Sequence, residues 1–148
     1  MYRFSLETVL THRKHIEDTL LKAFLDAKKD LHIEKKKLAF FDRVAREILQ
    51  ELKEREKMGT SISQIALYHG YIQEIGVKRE LQAQRIAEAT NRLREKYNAL
   101  VEAMKNRKIL NKLKEKELKI YIKEMQKEEQ NLTDEIAVNR FNSNRRSP

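Results

Sequence analysis

His12 and His15 stand three residues apart, a spacing that sets two imidazoles on one face of a helix, where they could share a metal ion. No third ligand follows at a suitable spacing and no HExxH pattern occurs, so the two read as solvated side chains. His32 and His69 have no acid or nucleophile placed beside them, which leaves no triad to build. Glu128 and Glu129 read as helix surface rather than as a pair of catalytic carboxylates. The glycines, at 59, 70 and 76, fit neither a phosphate-binding loop nor a dinucleotide fingerprint, and the absence of cysteine removes thiol chemistry. The expectation is a chain that is not an enzyme and takes no metal, cofactor or small-molecule substrate.

What remains is recognition through charge and apolar surface. Of 148 residues, 32 are Lys or Arg and 23 are Asp or Glu, a formal net charge of +9. A basic coiled-coil nucleic-acid binder is one alternative that this charge admits, but the acids are interleaved with the bases and no reading motif accompanies them. Interleaving points to solvated helix faces, so no nucleic-acid partner is expected. The strongest local excess runs from Lys105 to Lys127, where Glu115, Glu117 and Glu124 face nine basic residues. With 37% charged and 7% aromatic residues, the chain has material for a narrow apolar seam and not for a broad core. The N-terminus lacks the apolar run of a signal peptide and no segment has the length of a membrane span, so a cytoplasmic location is expected.

The elements follow from where helix formers stop. All three glycines fall between Met58 and Gly76 and the lone proline is Pro148, so the remainder reads as two long helical arms. The first is placed at about 3–57, the turn at about 58–61, the second at about 62–138, and a flexible basic tail at 139–148. Gly59 suits a left-handed cap, and Ser61-Ile62-Ser63-Gln64 fits a capping box. Spacings of three and four run through Leu20, Phe24, Ala27, Leu31, Glu34, Leu38, Phe41, Ala45, Ile48, Leu52 and Arg55. In the second arm they run through Ile86, Thr90, Leu93, Tyr97, Leu100, Met104, Asn111, Leu118, Tyr121, Met125 and Leu132, with Ile109, Leu110 and Leu113 suggesting a stutter. The fold class is all-α, a two-stranded antiparallel coiled-coil hairpin. Equal rise on both arms makes facing positions sum to roughly 120, so Phe24 meets Tyr97 and the first arm runs out near Arg3, opposite Glu117. Leu118, Tyr121, Ile122, Met125, Leu132 and Ile136 are then left as an uncovered stripe, which predicts a partner.

The stretch Tyr2-Arg3-Phe4-Ser5-Leu6-Glu7-Thr8-Val9-Leu10-Thr11-His12-Arg13 resembles the opening of FliJ proteins, the cytoplasmic stalk of the flagellar type III export apparatus. The C-terminal Gln126-Lys127-Glu128-Glu129, then Asp134-Glu135-Ile136-Ala137 and Arg140, looks like the same family's closing signature. Met58-Gly59 through Tyr71-Ile72-Gln73-Glu74-Ile75 is similar to its inter-helix region. The resemblance implies an antiparallel coiled coil, similar to the gamma stalk of rotary ATP synthases, whose terminal end inserts in and stimulates the hexameric flagellar export ATPase. On that reading Leu118, Tyr121, Ile122, Met125, Leu132 and Ile136, with Lys119 and Lys123, contact the ATPase. Tyr71, Ile75 and Gln82 would contact the cytoplasmic linker of the export-gate membrane protein, although Gly76 and Lys78 depart from the family's usual residues there. Export chaperones are further implied partners, and the implied place is the cytoplasm, peripheral to the inner membrane at the flagellar base. A homologous stalk of a virulence-type secretion system shares this architecture and stays open, as does weak self-association through the stripe.

Overall fold

The computed structural model describes residues 2–146, which form two helices, α1 from Glu7 to Met58 and α2 from Ile62 to Arg146, of 52 and 85 residues. They pair as an antiparallel coiled-coil hairpin. Gly59 takes φ +84°, a left-handed conformation that is cheap only for a residue without Cβ. The Ser61 hydroxyl oxygen accepts the Gln64 amide at 3.2 Å and caps α2. The reciprocal half of a capping box is replaced, since the Gln64 side-chain oxygen accepts the Thr60 hydroxyl at 2.6 Å.

Both outer helix ends differ from the sequence reading. α1 begins at Glu7 rather than near residue 3, because the Glu7 amide bonds the Phe4 carbonyl at 3.2 Å and residues 2–6 form a lead-in that buries Phe4. At the far end α2 continues through residues 139–146, where a flexible tail was expected. Loss of apolar periodicity removes packing but not helix: no Gly or Pro interrupts those residues, and the Arg145 guanidinium lies 5.7 Å from the centroid of the Phe141 ring one turn away. The last two positions of the expected tail, 147 and 148, lie outside the described residues.

The contacts group the chain into two compact units, where the sequence reading had one. The unit of Asp18–Glu102 carries the turn. Its α1 seam repeats every seven residues through Phe24, Leu31, Leu38, Ala45 and Leu52, all buried or half-buried. On α2 Tyr68, Ile75, Gln82 and Ala89 are buried, again seven apart, and so is Leu100. Of the expected seam Ile86, Leu93 and Leu100 are buried or half-buried, whereas Tyr97 is 52% exposed and packs its ring at a tilt against Phe24, centroids 5.8 Å apart. Its polar layers are paired. The Gln82 amide donates to the Glu34 backbone carbonyl at 2.9 Å and to the Glu34 carboxylate, Arg79 meets Asp42 at 2.7 Å, and the Arg55 guanidinium lies over the Tyr68 ring. A Cβ built on Gly70 or Gly76 meets nothing within 4 Å, so neither glycine marks a close helix approach.

Candidate partner-docking surface on the second helix

The second unit joins the residues up to Glu17 with those from Ala103 onward. Its seam keeps the seven-residue spacing, through Leu10 and Glu17 on α1 and through Ala103, Leu110 and Glu117, with Arg107, Lys114 and Tyr121, on α2. All of these α2 positions are buried or half-buried, so the register does not slip here. The expected stutter arose because charged residues occupy the seam while Ile109 and Leu113 stand exposed beside it. Those charges have partners: Arg107 binds Glu17, and Lys114 binds Glu7 at 2.9 Å. The Ser5 amide and hydroxyl both donate to the Glu117 carboxylate, at 3.3 and 3.1 Å.

The first arm reaches one turn further than expected. The Tyr2 hydroxyl donates to the Lys114 carbonyl at 3.3 Å, and the Tyr2 ring packs on Tyr121 with centroids 5.2 Å apart. Burial, then the charge of Glu117, push the Tyr2 hydroxyl above the ordinary tyrosine range. Tyr121 is thus half-buried by the chain's own N-terminus and does not belong to an uncovered stripe. Beyond it, every residue from 122 to 145 is exposed. Ile122, Met125, Leu132 and Ile136 stand 42–58% exposed and Leu118, at the edge of the covered part, 38%, with Lys119 and Lys123 also exposed. Val138 and Phe141 extend the exposed apolar surface and escaped the sequence reading, which had assigned or bordered them to a tail.

Among the residues matched to an export-gate contact, only Tyr71 offers surface, standing 46% exposed with its ring edge-on to Tyr68. Ile75 and Gln82 are buried in the intrachain seam, and the Gln82 amide is committed to Glu34. The exposed apolar neighbours of Tyr71 are instead Leu67, Ile62 and Met58 toward the turn. All four histidines lie on exposed positions, and among the described residues no group of three or more His, Cys, Asp or Glu is placed to hold a metal. Among the described residues, too, no helix is long and apolar enough to cross a membrane.

These features make an all-α two-helix hairpin whose second helix outruns the first, with paired charges where they overlap and exposed apolar side chains beyond. The chain belongs to the FliJ family: the family described as Flagellar FliJ protein matches residues 2–146. No curated protein matches it in sequence. Among solved structures it is similar to one from Chlamydia trachomatis described as a homolog of YscO, at 20% identity and a TM-score of 0.62 over 100% of both chains. At that identity the likeness is one of fold.

Proposed function

We propose that this chain is the non-enzymatic stalk of a flagellar type III export apparatus. Its overhanging α2 docks in the ring of the export ATPase and stimulates it, while the turn end meets the export gate and the stalk also engages export chaperones in the cytoplasm. Membership of the FliJ family supports the apparatus. The observation that carries the docking site is the overhang, in which Ile122, Met125, Leu132 and Ile136 remain exposed on a helix that the first arm no longer covers. Lys119 and Lys123 steer approach to an acidic lining. At the turn end Tyr71, with Leu67 and Ile62, is the gate-facing candidate, since Ile75 and Gln82 are enclosed. Replacing both Met125 and Leu132 with Ser should leave helicity unchanged and remove stimulation of ATP turnover by the purified export ATPase. Unchanged stimulation sinks the assignment of the surface, and loss of helicity makes the stripe structural.

A further inference from the structure

The stripe on the overhang does not prolong the seam that holds α1. Carrying the seven-residue spacing of Lys114, Glu117 and Tyr121 forward gives Glu124, Glu128, Asn131 and Glu135, all exposed and polar. The apolar residues Leu118, Ile122, Met125, Leu132 and Ile136 lie one residue further at each step, and one residue is about 100° around a helix. Whatever covers them therefore lies beside the track of α1 rather than in line with it. Their spacing of four and three is the footprint of one apposed α-helix, and it has a single interruption, Glu129, between Met125 and Leu132.

Glu129 decides what that helix can be. A second copy bound in parallel register would set Glu129 against Glu129 inside the contact. An antiparallel copy over the same stripe would seat Glu129 among Met125 and its neighbours with no cation, and would lay the acidic flank of Glu128 and Glu135 on itself. Both arrangements bury uncompensated negative charge. We propose that the stripe takes one amphipathic helix of a different protein, carrying Lys or Arg opposite Glu129 and further basic residues along the Glu128 and Glu135 side. This rests on the docking reading above and adds the chemistry of the partner's surface.

The test uses the full chain with Glu129→Lys, Glu129→Gln and Glu129→Leu, measuring affinity for the purified export ATPase and self-association by sedimentation. Glu129→Lys should weaken ATPase binding by about 30-fold or more, with Glu129→Gln between it and the wild type and helicity unchanged. Glu129→Leu makes the stripe apolar throughout and should self-associate at concentrations where the wild type is a single chain. The proposal is overturned if Glu129→Lys binds as the wild type does, or if the wild type is a dimer that Met125→Ser with Leu132→Ser dissociates. If the wild type does not bind the ATPase at all, the docking reading fails. The sedimentation result then decides alone: self-association confined to Glu129→Leu supports a heterotypic partner, and a wild-type dimer refutes it.

Discussion

Leu10 is 1% exposed, and the unit made by the N-terminal arm and the later part of α2 should depend on it more than on the Glu7–Lys114 pair or the Tyr2–Tyr121 ring contact. In register it sits between the Glu7–Lys114 and Glu17–Arg107 pairs, at the level of Leu110. The Glu7–Lys114 pair is 51% and 38% exposed, which limits its worth to about 0–1 kcal/mol, and the Tyr2–Tyr121 ring contact adds about 0.5–1.5 kcal/mol. Truncating a fully buried leucine costs about 2–5 kcal/mol, more than either. Leu10→Ala should therefore release residues 2–17 from α2 while the unit that carries the turn stays paired. Amide hydrogen exchange should show protection in residues 7–17 falling by about 30-fold or more, with little change around Leu31 and Ile75. Val9→Ala, at a 42% exposed neighbour, should leave protection nearly as it was. If the two variants behave alike, or if exchange rises equally along the whole hairpin, the assignment of Leu10 as the clasp is wrong.

Three further outcomes are expected. Leu31→Ala should destabilise by about 2–5 kcal/mol in thermal denaturation and Lys36→Ala by less than about 0.5 kcal/mol, and equal effects would mean the wrong face of α1. Gly70→Ala and Gly76→Ala should each stabilise by about 0.5–1 kcal/mol, because both are helical with open space at Cβ, whereas Gly59→Ala should cost about 1–2 kcal/mol at φ +84°; a destabilised Gly70→Ala would point to a contact not seen here. The Gln82 hydrogen bond, and then Lys37, hold the Glu34 carboxyl below its ordinary value against the opposing desolvation. That contribution is complete above the ordinary carboxylate range and is lost as pH falls through the lowered value. The stability gap between wild type and Gln82→Leu should thus narrow between about pH 7 and about pH 3 in urea melts, and a constant gap would refute the assignment.

The first helix was readable because its seam is written in large side chains, Phe24, Leu31, Leu38 and Leu52 at multiples of seven, with Leu20, Phe41 and Ile48 between them at three and four. The second was harder. Besides Leu100, its most enclosed positions are Gln82, Ala89 and Ala103, one polar and two small, while Tyr97, Leu118 and Met125 of the expected seam lie to one side. Gln82 is interior only because Glu34 on the other helix accepts its amide protons, a pairing that no local pattern announces. Ile75 and Gln82 came from the family resemblance as gate contacts, and in the hairpin both are enclosed, Gln82 against Glu34 of α1. Rise per residue placed the end of the first arm within a turn of where it falls, but backbone arithmetic takes no account of a tyrosine side chain reaching on to Tyr121. Helix beyond residue 138 was missed because apolar periodicity reports packing, and an exposed helix needs none.

The central claim is that the overhang of α2 is the surface that meets the export ATPase. A photo-crosslinking residue placed at Leu132, 58% exposed, should join the chain to the ATPase in cells, while the same residue at Phe40, 51% exposed in the other unit, should not. An ATPase adduct from position 40 with none from position 132 would contradict the claim and move the contact to the other unit.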